Sequence, residues 1–153
     1  MNNIDEQIVT IYGNKIRLRA CGVLIHENAI LLMRHDGLGK NGYLWAPPGG
    51  GLQFGESIHT CIKREFLEEC FLDVDVQRFL TINEHLEKPL HAIELFYKVN
   101  STNIEKLKLG NDPETPNMKV LSAYDFFSKD KILQESSKVF HESLYTEEIM
   151  SLF

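Results

Sequence analysis

The 23 residues from Gly50 to Leu72 constrain this chain more than any other part of it. Within them, Glu65, Glu68 and Glu69 follow at i, i+3 and i+4, which places all three on one face of a helix that turns by about 100° per residue. Three like charges on one face repel each other and weaken an isolated helix. Hard divalent cations would neutralise them, and Mg²⁺ prefers oxygen ligands and completes its shell with substrate phosphates. The stretch therefore predicts metal-assisted chemistry on a phosphorylated substrate.

The same stretch predicts an amphipathic helix behind a glycine-rich loop. Ser57 is a suitable N-cap, and we expect the helix to run to about Cys70. Its apolar side chains form a stripe that would face a core, at Ile58, Cys61, Ile62, Phe66 and Leu67. The glutamates lie to the other side, so one helix is expected both to anchor itself and to hold the carboxylates rigidly.

The spacing resembles the signature of the Nudix hydrolases, G-x5-E-x7-R-E-U-x-E-E-x-G-U, in which U is a bulky apolar residue. The matching positions are Gly50, Glu56, Arg64, Glu65, Phe66, Glu68, Glu69 and Leu72. Phe71 stands where the family has a glycine that relieves the backbone past a helix end, so we expect this helix to end differently, without losing a ligand. The resemblance implies an α/β fold, the Nudix α/β/α sandwich with a mixed β-sheet, as a single domain over residues 1–153.

The resemblance also assigns roles within the motif. Glu65, Glu68 and Glu69 would hold Mg²⁺ or Mn²⁺, and one of them would act as the base for an attacking water. Glu65 and Glu68 are the catalytic candidates together with Arg64, which lies next to Glu65 and at i, i+4 from Glu68. Its guanidinium can hold a carboxylate bidentately and so fix its direction.

Further positions would complete the metal site. By resemblance, Glu56 is a metal or water-network ligand, which is compatible with a favourable charge near a helix N-terminus. A loop carbonyl that joins the metal shell in the family maps best onto Gly49. A strand carboxylate completes the site in some members, and Glu94 is the candidate because it lies in a strongly apolar segment, with Glu84 as its rival.

The rest of the chain alternates between β-rich and turn-like segments. The predicted strands are residues 8–12, 15–19, 19–26, 30–33, 43–45, 74–86, 90–99 and 118–122. Residues 26–29 are expected to form a turn, and residues 74–86 and 90–99 an antiparallel pair. Loops are expected over 36–43 and 100–117, and helices over 124–127 and 137–153.

The composition excludes several classes of function. A net charge of −6 argues against a surface that binds nucleic-acid duplexes, which are contacted mainly by Lys and Arg. No run approaches the ~18 apolar residues of a membrane span, and no secretory signal is visible, so a cytoplasmic protein is expected. Cys21, Cys61 and Cys70 are odd in number and lack CxxC spacing, which indicates reduced thiols packed as small hydrophobic residues.

The implied activity is metal-dependent hydrolysis of a pyrophosphate bond in a small-molecule nucleotide, either a nucleoside diphosphate linked to another group or a (d)NTP. ADP-ribose, nucleotide sugars and (d)NTPs all stay open, although Pro89 lies 17 residues after Leu72, near the place where some ADP-ribose-cleaving members carry a proline. The alternative is a Nudix-like domain that senses a nucleotide without cleaving it. Isopentenyl diphosphate isomerase chemistry would need a catalytic cysteine, and Cys21 lacks a matching context. Family members are often homodimers, and the N-terminal strands could pair.

Overall fold

The computed structural model describes residues 3–115, 119–135 and 138–153. Its helices and strands follow in the order α1 Asn3–Tyr12, β1 Ile16–His26, β2 Ala29–Asp36, β3 Tyr43–Ala46, β4 Gly49–Gly51, α2 Ile58–Cys70, β5 Val74–Glu87, β6 Leu90–Ser101, β7 Leu121–Ser128, α3 Lys129–Gln134 and α4 Glu147–Met150. Two 3₁₀ helices, Ile104–Lys106 and Glu142–Tyr145, connect some of these elements. The mixed sheet with flanking helices confirms the predicted fold class.

The long central strand β1 organises the sheet. It pairs in parallel with β6 from Ile16–His91 to Leu24–Val99, and β6 pairs antiparallel with β5. β1 also pairs antiparallel with the short glycine strand β4 and, at its end, with β2. β2 in turn lies between β3 and β7, antiparallel to both.

Two apolar clusters fill the space on either side of the strands. Helix α2 contributes Cys61, Ile62 and Phe66 to the first cluster, and Ile58 packs against it, so these members of the predicted apolar stripe are confirmed. The prediction for Leu67 was wrong, because this residue is 47% exposed. The C-terminal residues Phe140, Leu144 and Ile149 pack into the second cluster against β1 and β2. All three cysteines are free and buried, as predicted. None of the helices in the described ranges has the length and apolarity that a membrane crossing requires.

The prediction for the N-terminal residues was wrong. Residues 8–12 lie in helix α1 rather than in a strand, and residues 16–26 form one continuous strand. The β-branched residues there favour a strand by propensity. However, Ile4, Ile8, Ile11 and Tyr12 also recur at helical spacing, and the helix buries Ile8 to 5% exposure.

The C-terminal predictions were also wrong. Residues 124–127 belong to strand β7, because pairing with the buried apolar strand β2 overrides their local preference. Of the helix predicted over 137–153, Ser137 lies outside the described residues, and the remainder forms an extended segment followed by Glu142–Tyr145 and Glu147–Met150. Of the strand predicted over 118–122, Met118 lies outside the described residues, and β7 begins at Leu121.

Helix α2 ends where the sequence predicted but not in the way it predicted. Phe71 takes the left-handed backbone conformation, with φ 58°, that the family glycine would adopt. The Phe71 N–H donates to the Leu67 carbonyl at 3.2 Å and the Leu72 N–H to the Phe66 carbonyl at 3.3 Å, and Phe71 is 51% exposed. The expectation that a bulky residue would change the helix end was therefore wrong. The backbone keeps the glycine-like geometry, which is costly for a residue with a Cβ.

Candidate functional site

Helix α2 carries the predicted carboxylates against the glycine strand β4. The Ser57 hydroxyl accepts a hydrogen bond from the Thr60 N–H at 3.1 Å, which confirms the predicted N-cap. From this start, the helix turns Glu65 and Glu69 inward, where they are 4% and 3% exposed. The Glu68 side chain is 28% exposed. The sequence thus places two buried carboxylates and one accessible carboxylate on neighbouring turns.

Arg64 binds three carboxylates at once. Its Nε and Nη2 donate to the two oxygens of Glu56 at 2.7 and 3.1 Å, and its Nη1 donates to Glu65 at 2.7 Å and to Glu68 at 3.1 Å. Hydrogen bonding to Glu56 is the largest cause of a pKa for the Arg64 guanidinium above its ordinary value. A planar fork of fixed donors can orient several carboxylates together, which a lysine ammonium cannot.

The glycines of β4 bring backbone directly against the carboxylates. The Gly49 N–H donates to Glu69 Oε2 at 3.2 Å. A Cβ at Gly50 would meet the Glu65 carboxylate, so a side chain at this position would displace that carboxylate. The Gly49 carbonyl accepts a hydrogen bond from Arg19 Nη2 at 3.0 Å. The backbone of β4 and the carboxylates of α2 are therefore in direct contact.

The buried carboxylates have perturbed proton affinities. Burial raises the pKa of the Glu65 carboxyl to about 7, against the opposing charge of Arg64. Burial and the neighbouring Glu65 raise the pKa of Glu69 well above its ordinary value, and Arg19 opposes this shift only in part. Crowded, desolvated carboxylates of this kind favour a cation, and an all-oxygen donor set fits a hard ion such as Mg²⁺ or Mn²⁺.

Glu94 is buried at 1% exposure and faces this site from β6. Its Oε1 accepts from Arg19 Nη1 at 2.6 Å, and its Oε2 accepts from Asn83 at 3.1 Å and pairs with His141 Nε2 at 2.9 Å. Burial would raise the pKa of Glu94, but His141 and Arg19 outweigh burial and hold that pKa well below its ordinary value. The rival, Glu84, has a side chain that is 59% exposed and pairs with His91.

A cavity of about 500 Å³ adjoins the carboxylates. Gly49, Gly50, Glu65 and Glu69 line one part of it. Other parts are lined by residues of α1, by the loop after β2 and by the C-terminal segment that contains His141. The site is therefore the polar end of a larger chamber with room for an organic ligand.

The NUDIX domain model matches residues 16–146, which is most of the chain. The chain belongs to the Nudix family.

Solved structures of Nudix hydrolases share the fold of this Nudix domain at low sequence identity. A MutT protein from Methanosarcina mazei Go1 is 18% identical with a TM-score of 0.65, and the match covers 81% of this chain and 84% of that one. A MutT Nudix hydrolase from Burkholderia pseudomallei is 17% identical with a TM-score of 0.63, covering 84% and 92%. An ADP-ribose pyrophosphatase from Streptococcus suis 89-1591 is 23% identical with a TM-score of 0.57, covering 89% and 87%.

In this Nudix domain, the predicted site residues Glu56, Arg64, Glu65 and Glu68 form one hydrogen-bonded group, and Glu69 joins the site through Gly49. Glu94 is linked to Gly49 through Arg19. Sequence reasoning missed Arg19 and His141. The sequence did contain a signal for Arg19, because a charged residue that continues into an apolar strand needs a partner of opposite charge if it is buried.

Three residues beside the Nudix carboxylates, His85, His141 and Glu142, hold potential ligand atoms within 4.8 Å of one another. His141 is already committed on both ring nitrogens. Its Nδ1 accepts from the Ser143 N–H at 3.2 Å, and its Nε2 faces Glu94 at 2.9 Å. His141 therefore works as a hydrogen-bonded support for Glu94.

Proposed function

We propose that this Nudix domain hydrolyses a pyrophosphate bond in a nucleoside diphosphate linked to another moiety, or in a (d)NTP, with Mg²⁺ or Mn²⁺ as cofactor. One observation carries the proposal: Glu65 and Glu69 are buried carboxylates held against the backbone of a glycine strand beside a 500 Å³ cavity. Burying carboxylates this deeply is costly unless a cation neutralises them.

Glu65, Glu68 and Glu69 would hold the cation, and the Gly49 carbonyl is the candidate backbone ligand. When bound, the cation would polarise phosphoryl oxygens, lower the pKa of a bound water and offset charge on the leaving phosphate. Glu68 is the best candidate for the base that accepts the water's proton, since its side chain is the most exposed of the three. The chain's own contribution is position and electrostatics, which is most of what phosphoryl transfer needs.

The hydrogen bonds of Glu56 and Glu94 favour positioning roles over direct coordination. Both oxygens of Glu56 bind Arg64, and Glu56 Oε2 also accepts from the Gln53 N–H at 3.1 Å. Both oxygens of Glu94 are likewise occupied by donors. We propose that Glu56 orients Arg64, and that Glu94 orients Arg19 and, through it, the Gly49 carbonyl.

The substrate class is the finer part of the proposal. The Streptococcus suis relative is an ADP-ribose pyrophosphatase, which supports testing compounds with two groups joined by a diphosphate before simple triphosphates. The experiment is a product screen over ADP-ribose, nucleotide sugars, dinucleoside polyphosphates and (d)NTPs with each metal, using wild type and Glu69→Gln. We expect metal-dependent product release from wild type, reduced by orders of magnitude in the variant.

Two other outcomes of that screen carry information. Near-normal turnover in a folded Glu69→Gln protein would remove Glu69 from the ligand set. Clear binding of one compound without release of any product would support the alternative function of a non-catalytic nucleotide sensor.

Two further expectations stay predictions. One is a cytoplasmic location, which rests on the composition. A homodimer cannot form through N-terminal strands at residues 8–12, because these residues are helical, but β1 and β5 expose aliphatic side chains at Ile16, Leu18, Ile82 and Leu86. Light scattering on wild type and Ile82→Lys would show whether a dimer forms and whether it uses this face.

A further inference from the structure

A second guanidinium of strand β1 lines the cavity beside the carboxylate site. Arg17 precedes Arg19 by two positions, so the alternation of a strand places both side chains on one face of the sheet, and both residues line the cavity. A Cβ at Gly51 would come within 3.3 Å of Arg17 Nη2, whereas a Cβ at Gly50 would meet the Glu65 carboxylate. Arg17 and a proposed cation ligand therefore lie near successive residues of β4.

Arg17 is the least committed of the three arginines around the site. Arg64 donates to three carboxylates, and Arg19 donates to a carboxylate and to a backbone carbonyl. Among the described residues, Arg17 makes one hydrogen bond, from Nη2 to Glu114 Oε2 at 3.1 Å. Its side chain is 19% exposed and lines the cavity, so a ligand there can reach the guanidinium.

Two side chains hold the Arg17 guanidinium in place. The Tyr12 ring of α1 packs on its face, with Arg17 Cζ 4.0 Å from the ring centroid. Glu114 binds its edge, close enough to β4 that a Cβ at Gly51 would lie 3.2 Å from Glu114 Oε1. A stacked guanidinium keeps its N–H donors in the plane, where they can bind an oxyanion. Glu114 occupies part of that edge.

The chain segment that carries Glu114 is fixed to the end of helix α2. Three of its N–H groups donate to the last carbonyls of the helix, namely Lys108 to Cys70, Gly110 to Glu69 and Asn111 to Glu68. The Glu114 side chain is nevertheless 32% exposed. Burial raises the pKa of Glu65, and the negative charge of Glu114 adds to this rise. Glu114 is thus attracted by Arg17 and repelled by the carboxylate site, and an ion pair this exposed is weak.

We propose that Arg17 binds a phosphate group of the substrate, and that this phosphate replaces Glu114 on the guanidinium. A phosphate accepts two parallel hydrogen bonds from an arginine, which is stronger than the single bond to Glu114. In a diphosphate, one phosphate would then lie at the cation and the other at Arg17. The proposal rests on the proposed function, since it places the cation at the glutamates of α2. It adds a residue outside the motif that positions the substrate, and a carboxylate of the chain that competes with the substrate.

Binding of α,β-methylene-ADP tests the proposal without hydrolysis, because carbon replaces the bridging oxygen of its diphosphate. Calorimetry with Mg²⁺ present would measure its Kd for wild type, Arg17→Ala, Arg17→Lys and Glu114→Gln. Arg34→Ala is the matched control. Arg34 also pairs with a carboxylate, at 2.9 Å, and packs on a tyrosine ring, at 4.3 Å, but it does not line the cavity. Circular dichroism would confirm that each variant is folded.

We expect Arg17→Ala to weaken binding by about ten- to a hundredfold, as for the loss of hydrogen bonds to a charged group. Arg17→Lys should recover part of the affinity, because lysine keeps the charge but not the fork of donors. Glu114→Gln should strengthen binding severalfold, since the competitor has lost its charge, and Arg34→Ala should bind as wild type does. In an Arg17→Ala background, Glu114→Gln should have no effect, because no guanidinium is left to compete for.

Equal Kd values for a folded Arg17→Ala and Arg34→Ala would overturn the proposal, and so would a wild type that does not bind the analogue. Weaker binding by Glu114→Gln would overturn the exchange, because Glu114 would then assist the ligand rather than compete with it. A gain from Glu114→Gln that persists in the Arg17→Ala background would also overturn the exchange, since net charge alone would explain it.

The product screen separates this proposal from the proposed function. A protein that shows the expected Kd changes yet hydrolyses nothing would retain the Arg17 phosphate site and lose the hydrolase proposal. A hydrolase whose Arg17→Ala variant binds the analogue as wild type does would do the reverse.

Discussion

The raised pKa of Glu65 makes the stability of the metal-free protein depend on pH in a direction opposite to that of carboxylates whose pKa is lowered by an ion pair. Burial raises this pKa from 4.5 to about 7 in the folded chain. Between these values the folded protein binds a proton that the unfolded chain has released. The contribution of Glu65 is therefore fully present below pH 4.5 and is lost as the pH rises through about 7.

The size of this effect follows from the shift. At about 1.4 kcal/mol per pKa unit, the contribution that disappears between pH 4.5 and pH 8 is about 3 kcal/mol. For a chain of this length, that corresponds to roughly 6–12 °C in Tm. Glu69 acts in the same direction, because its pKa is also raised.

His35 makes the stability depend on pH in the opposite direction, and this effect must be separated from that of Glu65. Its pKa falls from 6.5 to about 4 on folding, so stability gained from His35 rises with pH between those values. The difference between wild type and Glu65→Gln cancels this contribution, since both proteins contain His35. Thermal unfolding would be measured in a chelator from pH 4.5 to pH 8. Over this rise in pH, the free energy of unfolding of wild type should fall by about 3 kcal/mol relative to that of Glu65→Gln. A difference that stays flat with pH would refute the reasoning, and Glu84→Gln, at an exposed carboxylate, should run parallel to wild type.

Three further predictions test the supports of the site. Glu94→Gln should lower the free energy of unfolding by about 3 kcal/mol, because Arg19 loses a buried counter-charge, whereas Glu84→Gln should change it by less than about 0.5 kcal/mol; urea unfolding measures both. Arg64→Lys should lower kcat by about ten- to a hundredfold in a folded protein, because an ammonium cannot hold Glu56, Glu65 and Glu68 together, and unchanged kcat would contradict this role. Phe71→Gly should raise the free energy of unfolding by about 1 kcal/mol by relieving the left-handed backbone, with Phe71→Ala as the control that keeps the strain; equal Tm values for the two variants would count against it.

The motif region could be predicted from the sequence because its signals are local and agree with one another. Ser57 at the N-cap, the apolar stripe and the acidic face all predicted α2, and the structure confirms that helix from Ile58 to Cys70. The antiparallel pairing of residues 74–86 and 90–99 was predicted for the same reason, since alternating residues and one turn specify it.

The misassigned elements depend on contacts that are distant in sequence. Strand β7 is decided by pairing with β2, and residues 138–141 are held extended because the His141 N–H donates to the Trp45 carbonyl and the Trp45 N–H to the Val139 carbonyl. Helix α1 was missed because β-branched propensity outweighed a helical spacing that was also present.

The role of Glu94 shows the limit of motif reasoning at the site. Sequence could identify a carboxylate in an apolar strand, but it could not supply Arg19 and His141, the donors that occupy it. Arg19 is distant from Glu94 in sequence, and the parallel pairing of β1 with β6 brings these residues into register. Whether a buried carboxylate faces a metal or a guanidinium depends on that register.

The most direct test of the central claim, that the glutamates of α2 hold a divalent cation, is a Mn²⁺ titration followed by electron paramagnetic resonance. Wild type, Glu69→Gln and Glu84→Gln would be compared at pH 8, where Glu65 is ionised. The account predicts that Glu69→Gln weakens Mn²⁺ binding by more than about tenfold while Glu84→Gln leaves it unchanged. Equal binding by all three folded proteins would contradict the account.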